Sequence, residues 1–367
     1  MKKYGKLWIM LLLFLMGCGR TMSTSEGGGS DSSTKDNIVT PEPTVTSTPT
    51  PSPTPSPTPL PEYNNYLFTY FVGEGTGEES IYFAVSRDGF HWKEVNGGKP
   101  VLTSELGTTG LRDPFIMRSV DHKSFYLIAT DLCINKNGDW WKAQSAGSKD
   151  IMFWESSDLV NWSEQRVISS GLKTAGCVWA PEAFYHEETE EYMIFWASRT
   201  SGDRFAKQRM FYMTTKDFKE FSKTTVWMDY PHDVIDVSVI KEGNKYFRFV
   251  KSEGENRVIL ESADSLLGEW TSVNSMSLLR QEGVEGPTCF KLHEEDAKDG
   301  QKYVLLLDNY GREGYYYLTA ENIADGKFER INRKDYTMPG NKARHGTVIA
   351  ISEEEYQRIV EQYGIEE

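Results

Sequence analysis

A short phrase recurs five times along the chain: "SRDGFHW" at Ser86, "SSDLVNW" at Ser156, "TKDFKEF" at Thr215, "SADSLLGEW" at Ser262 and a degenerate "TAENIADGKF" at Thr319. Internal similarity of this kind constrains the fold more tightly than composition does, because each repeated unit must bury its apolar faces against copies of itself. Every copy follows an apolar, aromatic run, such as "IYFAV", "IMFWE", "RMFYMT" or "VILE", which has the residue types and length of a strand. The hydroxyl and the aspartate suit a tight turn, and the Trp or Phe opens the strand that follows.

Upstream of each phrase stands a second apolar strand: "YLFTYFV", "FYLIAT", "YMIFWAS", "YFRFVK" and "YVLLLD". In four cases a further short strand precedes it, opened by a motif: "RDPFIM", "WAPEAF", "IDVSVI" and "EGPTCF". Four strands per unit make the blade of a β-propeller. The N-terminal unit lacks its opening strand, and "RHGTVIAI", Arg344 to Ile351, is a strand without a blade. The two fit together, so the expectation is an all-β fold: one five-bladed propeller closed by strands from both ends of the domain.

In a propeller the opening strands line the central channel and run in one sense, so their first residues meet at one mouth. Asp113, Asp236 and Glu285, far apart in sequence, would converge there with Trp179, Glu182 and His345. Carboxylates crowded into a recess repel one another, and one of them is pushed towards keeping its proton at neutral pH. Glycoside hydrolysis needs this division: a neutral acid for the departing oxygen and an ionised group on the other side of the sugar. A third carboxylate can keep the acid protonated and oriented.

"RDPFI", "WAPE", "IDVSV", "EGP" and "RHGTV", in this order and at these spacings, resemble glycoside hydrolase family 43, from about Tyr63 to Ile351. The resemblance implies an inverting enzyme on a five-bladed propeller, acting on arabinose- and xylose-containing polysaccharides. By position it implies that Asp113 is the general base, Asp236 tunes and orients the acid, and Glu285 is the general acid. His345 would face a calcium ion or a water at the channel centre. Val237 departs from the pattern, since a proline often follows the second aspartate. Trp179 is a candidate sugar platform, while Arg312 and Arg344 are candidates for binding sugar hydroxyls or holding a carboxylate ionised. Two other readings compete. A retaining, fructosidase-like propeller would need an Asn-Asp nucleophile setting that is absent between Tyr63 and Arg112, and a non-catalytic sugar-binding propeller would have lost one of the three acids.

The beginning of the chain indicates an address. Lys2, Lys3 and Lys6, an apolar run from Leu7 to Met16 and then Gly17-Cys18 form a secretory signal too short to span a bilayer by itself. Leu15-Met16-Gly17-Cys18 resembles a bacterial lipobox, which implies cleavage before Cys18 and lipid on its thiol. Residues 1–17 are therefore read as a signal peptide, 18–61 as a Pro/Thr/Ser-rich tether and 62–367 as the propeller, held outside the membrane by lipid alone. The tether's 21-residue "PEPTVTSTPTPSPTPSPTPLP" carries nine of the 15 prolines and favours extended polyproline II, about 3.1 Å per residue. Without the leader the chain has 37 basic and 54 acidic residues, which argues against nucleic acid as a partner. Cys133, Cys177 and Cys289 have neither metal spacing nor an even count. "CINKNGDWW", with Cys in the first ligand place of a calcium loop, reads as a long hairpin turn, and "GEGTGEE" near Gly73 as a hairpin loop.

Overall fold

The computed structural model describes residues 60–340 and 342–365; the signal peptide, Cys18 and all but the last two residues of the tether lie outside them. Five four-stranded antiparallel sheets make up the fold. Blade two runs outward through Leu111–Arg118, Phe125–Asp131, Asp150–Ser156 and Arg166–Ser169, and blades three to five repeat this order. Blade one is built from Asn65–Phe71, Tyr82–Ser86 and Lys93–Glu94, with Arg344–Ile351 as its inner strand. That strand pairs antiparallel with Asn65–Phe71, from Asn65 opposite Ile351 to Phe71 opposite Arg344. Each inner strand touches the inner strand of the next blade all the way round, so the ring is closed as expected.

The middle strands are apolar at nearly every position because both faces of a blade are covered by its neighbours. Successive side chains point to opposite faces, and along "EYMIFWAS" they enter different cores. Ile194 and Trp196 pack with Ile128 and Phe153 of blade two, while Met193 and Phe195 pack with Val237 and Val250 of blade four. The repeated phrase does what its chemistry suggested. Ser86 Oγ accepts from the Gly89 N–H at 3.0 Å, and Asp88 Oδ1 accepts from the Phe90 and His91 N–H groups at 2.8 Å each. Ser156 with Asp158 and Thr215 with Asp217 repeat the pattern.

Two features differ from the sequence reading. "CINKNGDWW" is not a plain turn: it carries the short helices Ile134–Asn137 and Trp140–Ser145, and the Asp139 side chain accepts from the Lys142 N–H. The first helix is held from outside, since Glu79 accepts from the N–H groups of Ile134 at 2.7 Å and Asn135 at 3.1 Å. After the last strand comes a helix, Glu353–Tyr363, opened by a capping box between Ser352 and Glu355. It buries Tyr356 and Ile359 against blade one, and Arg118 pairs with Glu355 at 2.6 Å. "GEGTGEE" is a hairpin loop as expected, and Cys133, Cys177 and Cys289 are free thiols.

Candidate active site

All five inner strands begin with the same irregularity. The register with the next strand slips at Asp113, Ala180, Asp236, Gly286 and His345, the second residue of each opening motif. Four of these residues are left-handed, with φ of 49°, 47°, 48° and 52° in chain order. A bulge with positive φ re-aims a side chain and costs backbone energy that the surrounding sheet must sustain. Asp113 and Asp236 occupy it with carboxylates, and Ala180 and Gly286 with next to nothing. The departure at Val237 leaves this backbone unaltered, since Asp236 keeps the left-handed φ without a following proline.

Around the mouth these residues form an unbroken series of polar contacts. Thr130 donates to Asp113 Oδ2 at 2.8 Å and accepts from the Ala180 N–H at 2.8 Å. His345 Nδ1 lies 3.6 Å from Asp113 Oδ1 and 3.8 Å from Asp236 Oδ2, ionic contacts longer than a hydrogen bond. Asp236 Oδ2 accepts from the Gly286 N–H at 3.0 Å. The neighbouring Glu285 Oε1 accepts from Arg344 Nη2 at 2.9 Å, and Arg344 Nε donates to Asp308 Oδ2 at 2.6 Å. Gly286 is required by its neighbour as well as by its φ, because a Cβ there would stand 2.8 Å from His345 Cγ.

The cluster divides its protons unevenly. Although burial works against it, His345, Arg112 and the Thr130 hydroxyl hold Asp113 below the usual aspartate range. Burial, then the adjacent Asp236 and Asp308 charges, push Glu285 up to about 8. Burial raises Asp236 too, with Asp113 adding to it, and lifts Glu182 to about 8. His345 moves the other way: despite burial, the charges of Asp236 and Asp113 raise it to about 10. Near neutral pH the site therefore holds an ionised Asp113, a protonated Glu285 and an imidazolium beside both aspartates.

The structure gathers Asp113, Asp236, Glu285 and His345 as the sequence suggested, with Glu182 beside them. Trp179 is half-buried, with its ring edge-on to Trp140 at 6.0 Å between centroids. Arg344 makes the carboxylate contact that was one of its two expected roles: its guanidinium bridges Glu285 and Asp308. Arg312 lies on the exposed turn between Tyr303–Asn309 and Gly314–Ala320, and among the described residues no ion pair ties it to the cluster. A calcium ion seeks six to eight oxygen ligands. No group of three or more His, Cys, Asp or Glu side chains that could hold a metal ion gathers among the described residues.

Sequence reasoning missed Asp308, Thr130 and the environment of Arg112. Asp308 ends the apolar strand "YVLLLDN", fully buried with Oδ1 unpartnered, and a charged residue inside such a run is a signal in itself. Arg112 is buried against Glu79 at 3.3 Å and Glu74 at 3.5 Å, both from the "GEGTGEE" loop and its end.

Residues 61–357 match a family related to glycoside hydrolase family 43 and described as a probable glycosyl hydrolase domain. An alpha-L-arabinofuranosidase of Bifidobacterium longum subsp. longum is 32% identical over 295 residues, which cover 68% of this chain and 27% of the relative. The chain thus spans about a quarter of that relative's length. Among solved structures, a family 43 beta-1,3-galactosidase superposes with a TM-score of 0.50 at 13% identity, over 71% of this chain and 55% of the other. A GH62 hydrolase in complex with xylotriose gives 0.48 at 14% identity, over 72% and 80%.

Proposed function

Because the chain belongs to the glycoside hydrolase 43-related family, we propose that it is an inverting glycoside hydrolase acting on arabinose- or xylose-containing plant polysaccharides or their oligosaccharides. One observation carries the proposal: the inner strands bring Asp113, Asp236 and Glu285 to a single mouth around His345 and Arg344, where the downward shift of Asp113 and the upward shift of Glu285 suit a base and an acid. Asp113 takes a proton from a water whose oxygen attacks the anomeric carbon. Glu285 gives its proton to the departing glycosidic oxygen. The C–O bond breaks as the new one forms on the opposite face, the products together gain one water, and the anomeric configuration inverts.

The surrounding residues set these two states. His345 stands beside Asp113 and Asp236 as a cation and keeps the base ionised. Asp236 and Asp308 raise Glu285, while Arg344 fixes the position of its carboxyl and tempers the shift. The arabinofuranosidase relative supports an arabinoside as substrate. In the same reading the protein is a lipoprotein, carried at the outer face of the cell membrane by lipid on Cys18 and the tether after it, and its acidic balance supports an uncharged carbohydrate rather than nucleic acid as partner.

The test is hydrolysis of aryl arabinosides, xylosides and galactosides by the soluble domain, with proton NMR of the first sugar released. The expected product is the inverted anomer of an arabinoside or xyloside, and net retention rejects the roles given to Asp113 and Glu285. In cells, Cys18→Ser is expected to move the protein out of the detergent phase, and full retention there rejects the lipid anchor.

A further inference from the structure

Exposed tryptophan is costly in water, so its location is informative. Among the nine described tryptophans only Trp140, at 41%, and Trp141, at 57%, are exposed. They are adjacent and stand on the helix Trp140–Ser145, in the loop that leaves blade two at Asp131. Asp131 pairs with Leu111, and Thr130 with Arg112, so this loop rises from the end of the blade where Asp113 begins. Trp140 is held from two sides. The Arg112 guanidinium lies 5.3 Å from its ring centroid, and Trp179 meets it at an interplanar angle of 86°. Arg112 is itself fixed by Glu79 and by the Phe71 ring, at 4.6 Å, and Glu79 also caps the preceding short helix. Trp140 is therefore built on the residue next to Asp113 and is held by protein contacts alone, while Trp141 beside it projects into solvent.

We propose that Trp140 and Trp141, backed by Trp179, form a binding ridge for the main chain of a neutral polysaccharide, outside the cluster that performs the chemistry. Indole faces stack on the C–H faces of sugar rings, and Trp140, already held by Arg112 and Trp179, binds without first being ordered. The occupant is a neutral chain because the expected mature balance is strongly acidic and repels polyanions. A ridge continuous with the mouth binds units of the same polymer whose linkage is cleaved, so the inference rests on the glycosidase reading.

Trp141→Ala is the cleaner variant, since Trp140 also packs on Arg112 and Trp179. It is expected to raise KM on soluble arabinoxylan by roughly three- to tenfold relative to KM on an aryl arabinofuranoside, the range of one aromatic stacking contact. In affinity electrophoresis, Asp113→Asn protein is expected to be retarded by arabinoxylan, and addition of Trp141→Ala to weaken the retardation; Trp140→Tyr, which keeps a ring, should retain most of it. Equal KM ratios together with equal retardation with and without Trp141 overturn the ridge. The electrophoretic measurement requires no turnover, so it judges the ridge even if no glycoside is cleaved and the catalytic reading fails.

Discussion

Replacing the acid Glu285 by glutamine should make the protein more stable in alkaline solution while removing its activity on natural glycosides. Glu285 has a folded pKa of about 8 against an ordinary 4.5, chiefly through burial. A carboxyl raised in the folded state holds its proton more tightly there than in the unfolded chain. Its favourable contribution is therefore present below 4.5 and is lost as pH rises through about 8, above which the fold carries the full cost of a buried anion. At about 1.4 kcal/mol per pH unit the gap sets a ceiling of about 5 kcal/mol. Water reaches the side chain, which is 23% exposed, so a realised difference of about 2–3 kcal/mol is the reasonable expectation. Glutamine keeps the shape and cannot ionise. Calorimetry at pH 5 and pH 9 is the assay: Glu285→Gln should melt close to the parent at pH 5 and roughly 3–5 °C above it at pH 9. His345 also loses its contribution on the alkaline side, as pH rises through about 10, but it does so in both proteins and largely cancels from the comparison. Equal melting differences at the two pH values, or a variant less stable than the parent at pH 9, would refute the reasoning that the site holds a proton against its environment.

Two further outcomes follow from the contacts around that acid. Asp308→Asn leaves Arg344 facing Glu285 with its charge no longer offset, so the alkaline limb of kcat/KM should move down from near 8 by about one pH unit; a limb that stays in place removes Asp308 from the tuning of the acid. Gly286→Ala must hold a left-handed φ, at about 1–2 kcal/mol, and place its Cβ against His345, at about 1–3 kcal/mol more, so thermal melting and kcat should fall together. An alanine variant with parental melting and turnover would show that His345 needs no such space.

The blade count and the closure of the ring could be read from the chain because each blade repeats one turn phrase and buries both faces of its middle strands, which leaves a dense apolar signal. The convergence of Asp113, Asp236 and Glu285 followed from topology alone. What escaped was whatever no repeat announces. Asp308 lies at the end of a strand, and only the fold reveals that Arg344 reaches it. That same reach is why Arg344 could not be assigned between sugar and carboxylate from the sequence. The helix Glu353–Tyr363 was missed although Ser352 and Glu355 write its capping box, because the strand count was already complete at Ile351. The first helix after Cys133 depends on Glu79, a carboxylate from another blade, and short helices of this kind rarely announce themselves by propensity.

The strand Arg344–Ile351 carries both His345 and Arg344 and follows every other strand in the chain. During synthesis the first blade must wait, with one edge unpaired, until the ribosome has delivered all four remaining blades. Until that strand docks, the base lacks its cation and the acid lacks its guanidinium partner. On the proposed roles a nascent or truncated chain would be inert as a catalyst, and its open edge is a point at which chaperones and proteases can tell it from the finished protein.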